Sequence, residues 1–596
     1  MRRRILLVGA VCLFGYALYG GLYAAGVALD ATLADDDGPE SVDSERTGDI
    51  GSVESNSDRK GTSAGETGDG STDGPPFSFE RTYAGFNYTY ERTGVGNDVL
   101  VSRAGAYVSD YDGDRWPDVL LVGGERPLLY ENKEGSFERS NALPALNRTA
   151  RAALFFDYDG DGRDDLLLLT AGRAPLLLRN AGGTFERVGT VGDPLAMPSG
   201  ATTADFDGDG CLDVFVYQYG NWSDRLPRGR TNYSAPLNDD NGNPDRLYWG
   251  TCDGLEPANE TALGIRGNRW TLAASALNLT GDGLPDIHAT NDYNHDVVYV
   301  NRNGTFEQRA LGEVTNRNGM SSEILDANGD ARPDLFVTNV WYPRWAEGKI
   351  GGALSFKADG NNLLVNDGGR FVDRAGDFNL TRGGWGWAAV AGDFDNDGDE
   401  DLLHATRHLT FQLRDTQFTD AELRRLRSHK FYRYPAVWER DGASFERIPG
   451  WRVGLNTPDG RGVARLDYDR DGHLDLFVAS PAAGYHLYEN RGGDGRAVQM
   501  RILDRNGALA HGATVRIGSN SSHWRIVHAG TDFHAQDQRL VHVGVGSARN
   551  VTVRVHWPDG TKRVVSAASD RRVSVRPSGI VARTPLPNET APPLTP

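Results

Sequence analysis

The chain has 596 residues and a formal net charge of −19 at pH 7, too long for one small core and too acidic for a body that wraps nucleic acid. The charge is uneven: residues 77–493 carry 43 basic against 62 acidic side chains, whereas residues 494–577 carry 13 against 6, so an acidic body bears a basic C-terminal module. Of the 63 basic residues 57 are arginine and only six are lysine, an acidic, lysine-poor composition that fits a halophilic archaeon.

Residues 5–29 are 25 uncharged, mostly apolar residues behind Arg2, Arg3 and Arg4. That length spans about 30 Å of hydrocarbon as a helix and exceeds a signal-peptide core. Residues 1–29 are therefore expected to be a transmembrane signal anchor, with the N-terminus inside and the bulk of the chain outside the cell. The rival reading is a cleaved twin-arginine signal and a secreted protein, although no clean A-x-A site follows. Eleven N-x-S/T sequons, from Asn87 to Asn588, fit an exported glycoprotein. Residues 30–76 are Asp, Ser, Gly, Thr and Glu with almost no large apolar side chain; they cannot bury enough surface to offset their ordering entropy and read as a disordered acidic stalk.

From residue 77 the chain repeats itself. Acidic loops begin at Asp110, Asp157, Asp205, Asn278, Asp326, Asp393 and Asp467, with spacings of 47, 48, 73, 48, 67 and 74. The short spacings suit a four-stranded propeller blade, and the long ones imply insertions. Each loop precedes a short apolar run, such as VLLVGG, and then a hairpin, such as LLYENKEGSFER, LLLRNAGGTFER or VVYVNRNGTFEQ. The seventh unit ends at YHLYENRGG with no F-E-R strand after it, while residues 77–81 read FSFER at the other end of the body. That strand is expected to complete the last blade, which makes residues 77–493 a closed seven-bladed β-propeller without an open edge. One insertion is helical: Thr419-Asp420-Ala421-Glu422 looks like a capping box opening a basic helix to about Lys430. Residues 494–577, with alternating apolar residues and a turn at Pro558-Asp559-Gly560, read as a small β-sandwich or barrel, and 578–596 as a Pro-rich disordered tail. The fold class is thus all-β. Cys211 and Cys252 could pair outside the cell or remain separate thiols.

The loops follow D-x-D-G-D-G-x-x-D. Carboxylates at positions 1, 3, 5 and 9 suit a hard cation that takes six or seven oxygens, and Ca²⁺ sheds water more readily than Mg²⁺. The candidate ligand sets are Asp110, Asp112, Asp114 and Asp118; Asp157, Asp159, Asp161 and Asp165; Asp205, Asp207, Asp209 and Asp213. They continue with Asn278, Thr280, Asp282 and Asp286; Asp326, Asn328, Asp330 and Asp334; Asp393, Asp395, Asp397 and Asp401; Asp467, Asp469, Asp471 and Asp475. Up to seven structural calcium ions follow, with the fourth set, holding only two carboxylates, the weakest or empty.

The loops with their hairpins resemble FG-GAP/VCBS repeats, as in integrin α-subunit propellers. HGATVRIG (511–518), HAGTDFHAQDQRLVHVGVG (528–546) and VTVRVHWPDGT (551–561) resemble an ASPIC/UnbV domain. Together, over about 500 residues, they look like the cartilage acidic protein family, although the stretch before Gln536-Asp537 departs from the family's Ser-rich, Tyr-containing form. The resemblance implies an extracellular, calcium-binding and non-enzymatic protein, and it implies no particular ligand.

The segments that follow the second strand of each blade emerge on the face opposite the loops. They hold Tyr217, Gln218, Tyr219, Trp222, Asn291, Asp292, His295, Asn339, Trp341, Tyr342, Trp345, Arg407 and His408. Aromatics mixed with amides and charges suit a sugar or polar peptide; tryptophans that merely pin long loops explain them as well. For catalysis no nucleophile–base pair, G-x-S-x-G, P-loop or Rossmann signature stands in a fitting context. His404 and His408 sit on a strand exit rather than a helix, and His523, His528 and His534 read equally as metal ligands or surface histidines. The expectation is a non-catalytic calcium-binding propeller that recognises an extracellular protein or glycan in adhesion. The alternative is a secreted propeller lyase acting on polysaccharide through Asp292, Arg407 and His408.

Overall fold

A computed structural model of the chain describes residues 75–86, 104–220, 242–311, 314–316, 318–343, 345–346, 359–406, 419–427, 434–457, 459–481, 483–493, 495–518, 523–528 and 532–586. Residues 5–29 and the stalk to residue 74 lie outside them; among the described residues no helix is long and apolar enough to cross a membrane.

Among the described residues seven antiparallel sheets follow one another along the body. The first runs Gly105–Ser109, Asp118–Val122, Leu128–Lys133, Ser136–Arg139, and the second Ala152–Phe156, Asp165–Leu169, Leu176–Asn180, Phe185–Thr190. The same order of first strand, acidic loop, second strand and hairpin recurs in sheets that start at Pro198, Trp270, Ser322, Gly386 and Gly462. The first strands touch one another in cyclic order, and Gly105–Ser109 meets Gly462–Leu466 to complete the cycle. Second strands such as DLLLL are buried at every position because sheets cover both faces, so they read as continuous apolar runs. Outer strands such as SFER bury only the phenylalanine.

The seventh sheet takes its outer strand from the start of the body. Phe79–Thr82 pairs antiparallel with Gly484–Asn490, Phe79 opposite Asn490 and Thr82 opposite Leu487. Phe77 and Phe79 are buried, and their rings lie 5.7 and 5.6 Å from that of Phe394 in the sixth sheet.

A device that the sequence reading overlooked joins neighbouring sheets. In the hairpin ENKEG, Asn132 Nδ2 donates to the Pro117 carbonyl (3.2 Å) in its own sheet and to the Tyr468 carbonyl (2.7 Å) in the seventh, while its Oδ1 accepts from Gly135 N–H (2.8 Å). Asn180, Asn301, Asn366 and Asn490 repeat the reach to the preceding sheet, to the carbonyls of Tyr111, Phe206, Leu279 and Phe394. In the sixth sheet Arg440 replaces asparagine and donates to the carbonyls of Asp326 and Ala327. The third sheet has Gly250 at this place, and there Cys211 and Cys252 form a disulfide between loop and hairpin. An Asn180→Ala change leaves two carbonyls and one N–H without that partner. At about 1–3 kcal/mol for a buried group so orphaned, we expect a loss of roughly 3 kcal/mol in denaturant unfolding. A loss under about 1 kcal/mol would show the clip to be incidental.

The insertion helix is present as Asp420–Arg427, capped as expected: Glu422 N–H donates to Thr419 Oγ1 (3.3 Å), and Thr419 N–H donates to Glu422 Oε2 (2.9 Å). Residues 428–430 lie outside the described residues. The C-terminal module is two four-stranded sheets around a shared apolar core of Val498, Met500, Val515, Val553 and Val573. Its last strand, Gly579–Pro585, pairs with Arg571–Arg576, so the region expected as a tail from 578 begins as an edge strand whose alternation was short enough to miss.

The module does not hang free. Ala535–Gln536 adds in parallel to Gly105–Ser109, and Ala106 N–H donates to the His534 carbonyl (3.1 Å). Gln536 Nε2 donates to the Phe155 carbonyl (2.9 Å), and its Oε1 accepts from Phe155 N–H (2.9 Å). Phe533 is fully buried, its ring 5.2 Å from Trp387. These partners sit on or beside the first strands of different sheets, so residues 532–540 run down the middle of the cycle. The passage is tight: a Cβ on Gly462 would lie 2.5 Å from the His534 carbonyl oxygen. His534 is accordingly not a surface histidine, and burial pushes it down to about 3; His528 is half-buried.

Candidate metal centres

Each acidic loop joins the first strand of a sheet to the second, and its ninth residue is the first residue of that second strand. The ninth-position aspartate is bound on both oxygens in the same way throughout. Tyr111 N–H donates to Asp118 Oδ2 (3.1 Å) and Asn132 N–H to Oδ1 (2.9 Å); Tyr158 (3.1 Å) and Asn180 (2.7 Å) do so for Asp165. Asp213, Asp286, Asp334, Asp401 and Asp475 accept from the matching backbone groups. This carboxylate therefore ties loop, second strand and third strand together, besides facing the other loop aspartates. Burial pushes Asp118 up to about 9 and Asp165, Asp213 and Asp334 up to about 7, and the remaining carboxylates of each loop push the same way.

Among the described residues five loops bring three carboxylate oxygens within 4.8 Å of one another. They are Asp110, Asp112 and Asp118; Asp157, Asp159 and Asp165; Asp205, Asp207 and Asp213; Asp393, Asp395 and Asp397; and Asp467, Asp469 and Asp475. Asp157, Asp393 and Asp467 each keep a buried Oδ1 with no hydrogen-bond partner. Buried carboxylate oxygens left over in a cluster of like charge are what a hard cation would complete, so the donor set fits calcium. Asp114, Asp161, Asp209, Asp401 and Asp471 complete the expected sets along the chain.

The other two loops differ. The Asn278–Asp286 loop holds Asp282 and Asp286 as its only carboxylates and forms no such group, as its composition led us to expect. In the Asp326–Asp334 loop Asn328 removes one carboxylate; Arg332 pairs with Asp330 at 2.7 Å as Arg163 does with Asp161 at 2.8 Å in the second loop, so the asparagine is what sets this loop apart. An Asp159→Ala change should lose one bound calcium by native mass spectrometry, whereas Thr280→Ala should lose none. Equal losses would refute this ranking of the loops.

The C-terminal module reaches several of the loops, the second through Arg539 and Asp164. Gly544 N–H donates to Asp393 Oδ2 (2.6 Å), Gln499 Nε2 to Asp467 Oδ2 (2.6 Å), and Arg501 Nη1 lies 3.8 Å from Asp110 Oδ2. Asn396, in the left-handed region at φ +62°, stands where most loops have glycine; its Oδ1 lies 2.8 Å from His542 Nε2. Basic side chains of the module also face the loops, Arg525 at 3.1 Å from Glu400 and Arg572 at 3.7 Å from Asp467, a complementarity that net charge alone only hinted at.

Most residues expected on an open ligand face are packed inside. Tyr217, Gln218, Tyr219, Asn291, Asp292, Asn339 and Tyr342 are all buried. Gln218 Oε1 accepts from Ala196 N–H (2.8 Å), Asn291 Nδ2 donates to the His295 carbonyl (3.1 Å) and Asn339 Nδ2 donates to Asn362 Oδ1 (3.1 Å), so the side-chain amides secure turns. Tyr219 Oη donates to Asp292 Oδ2 (2.6 Å), and burial pushes Asp292 up to about 7, so it does not present a free carboxylate to a substrate. The physical reason is that aromatic side chains at strand exits complete the core beneath the long insertions: Tyr219 packs with Trp270, Tyr342, Trp385 and Trp387. His295, Trp341 and Trp345 remain partly exposed, the last two beneath the guanidinium groups of Arg382 and Arg425. His404 is buried and stacked on Trp438. Trp222, Arg407 and His408 lie outside the described residues.

Comparison with known proteins follows the same division. Residues 110–168, 157–216 and 278–337 match an FG-GAP-like repeat, and residues 504–580 match ASPIC and UnbV. Cartilage acidic protein 1 of Mus musculus is 28% identical over 194 residues, which are 31% of this chain and 27% of that protein. The Homo sapiens protein is 27% identical over 194 residues, again 27% of its length. The chain therefore matches about a quarter of the length of these relatives. Among solved structures, an Agrocybe aegerita lectin that recognises non-reducing terminal N-acetylglucosamine aligns at TM-score 0.38 and 15% identity, over 64% of this chain and 86% of that one. YCF48 bound to D1 peptide aligns at TM-score 0.37 and 9% identity, over 70% and 97%. The chain thus carries FG-GAP-like repeats followed by an ASPIC and UnbV domain, and it is weakly homologous to cartilage acidic protein 1.

Proposed function

We propose that the chain is a non-catalytic, calcium-binding propeller of seven blades that works outside the cell, anchored by residues 1–29, and that it recognises an extracellular protein or glycan. The observation that carries this reading is the set of five carboxylate clusters at equivalent places in consecutive sheets, three of them with an orphaned buried oxygen. The cyclic contacts of the first strands support the blade count. Loops of this kind bind calcium usefully where it is abundant, at about 10⁻⁴–10⁻³ M outside cells. The Cys211–Cys252 disulfide and the relatives' name, a cartilage protein, agree with an oxidising extracellular setting.

Ligand contact is assigned to the half-buried His295 and Trp341. Asp292, one of the residues on which a lyase reading draws, is tied to Tyr219. The test is an array of glycans and extracellular proteins probed with the purified chain in calcium, read for retention and for product release. Retention without cleavage, weakened by Trp341→Ala, is the expected result. Cleavage of any saccharide would replace the reading with an enzyme.

A further inference from the structure

Where the C-terminal module meets the first and second acidic loops, it leaves a cleft of about 670 Å³, open mouth included. Its described lining carries Arg115, Arg501, Arg539 and Arg572 beside Asp110 and Asp164, with Asp467 at 3.7 Å behind Arg572, in a chain of net charge −19.

The four guanidinium groups are not equally engaged. Arg572 is satisfied: Nε and Nη2 donate to Gln499 Oε1 (2.9 and 2.7 Å), and Nη1 donates to the Arg115 carbonyl (2.7 Å). Arg115 Nη1 donates to Thr584 Oγ1 (3.0 Å), which leaves that hydroxyl proton for another acceptor. Arg539 has a side chain only 8% exposed; Nη2 pairs with Asp164, and Nη1 is buried with no partner. Arg501, 37% exposed, has its nearest carboxylate oxygen at 3.8 Å, beyond hydrogen-bond distance. Asp164 is already engaged, its Oδ2 accepting from Ser109 Oγ (2.6 Å) and from Arg539.

We propose that this cleft is a binding site for a small oxyanion, a sulfate, phosphate or carboxylate group, received by Arg501 and the inner edge of Arg539 with the Thr584 hydroxyl beside them. A planar guanidinium fork matches such oxygens with two parallel N–H donors, and a buried cationic donor without a partner is costly until an anion supplies one. Leu509, Leu540 and Ala582 wall the same cleft and give apolar contact to whatever carries the anionic group. The assignment stands on the cleft and its arginines and does not depend on the calcium loops or on the proposed recognition face.

The test is calorimetric titration of the full chain with sodium sulfate, sodium phosphate and sodium glucuronate, with chloride holding ionic strength constant. Saturable binding of one equivalent of at least one anion is expected; the inorganic salts and the uronate distinguish a free ion from a carboxylate carried on a sugar. Because Arg539 is buried and its loss could disturb the interface, the decisive variant is the partly exposed Arg501→Gln, which should weaken binding about tenfold. Arg505→Gln, at a side chain 71% exposed and paired with Asp559 outside the cleft, should titrate like the parent chain. No saturable binding of any of the three anions, an Arg501→Gln chain that binds as the parent does, or an equal loss in Arg505→Gln would each overturn the site.

Discussion

Removing calcium with a chelator at pH 8 and fixed ionic strength lowers the thermal midpoint of the chain, and lowering the pH to 6 restores part of the loss. Each site that binds only the folded chain contributes about 2.7 kcal/mol at a free ion concentration one hundred times its Kd. Five clusters with three close carboxylates thus give a midpoint shift on the order of 10 °C or more in a chain of this size. The direction of the pH response follows from burial and like charge. Asp165 and Asp213 are pushed from an ordinary carboxylate value of 3.8 up to about 7. A carboxyl whose folded value is raised takes up a proton on folding, so its contribution is fully present below about 4 and is lost as pH rises through about 7. The chelated chain should therefore gain stability between pH 8 and pH 6. With calcium the slope reverses, since protons then compete with the ion for the same oxygens. Scanning calorimetry at both pH values, with and without chelator, reads all four states. Superimposable transitions with and without calcium would remove the metal from these loops.

Much of this architecture was legible because it is written as a repeat. The D-x-D-G-D-G-x-x-D pattern placed every loop, and FSFER at 77–81 announced its pairing because the seventh hairpin visibly lacked a strand. What stayed hidden depends on partners distant in sequence. Asn132 stands in a quoted motif, yet its role is to reach Tyr468, 336 residues away. The recurring N-x-x-G spacing of ENKEG, NAGG and NRNG was the available signal, and it passed as ordinary turn chemistry. Similarly, Tyr219 and Asp292 read as a binding face because aromatics and charges at strand exits look alike whether a ligand or an insertion covers them. The segment from Asp532 to Leu540 was read only as part of a small β domain, since nothing local marks a strand that will pair with Gly105–Ser109.

Deleting residues 77–82 aggregates the chain, while deleting residues 30–74 leaves its fold and calcium content unchanged. The two deletions end within ten residues of each other, and the one that removes far fewer residues is the one expected to do the damage. The shorter deletion takes away Phe77 and Phe79, both buried against Phe394, at about 3–5 kcal/mol for each aromatic side chain lost from a core. It also bares Gly484–Asn490, whose backbone groups pair with Phe79–Thr82 over four residues and would then face solvent as an open strand edge. The Asn490 clip to the sixth sheet and the Asn132 clip to the seventh lie beside that edge, so the damage should spread to both neighbours. The longer deletion removes a segment whose composition gives it almost no apolar surface to bury. Solubility, sedimentation and bound calcium separate the outcomes. A Phe77→Ala/Phe79→Ala chain, which keeps the backbone strand, should fall between them: soluble, but less stable by several kcal/mol by the same accounting. If both truncations stay soluble, or both aggregate, pairing of the first strand with the last hairpin is not what holds the cycle shut.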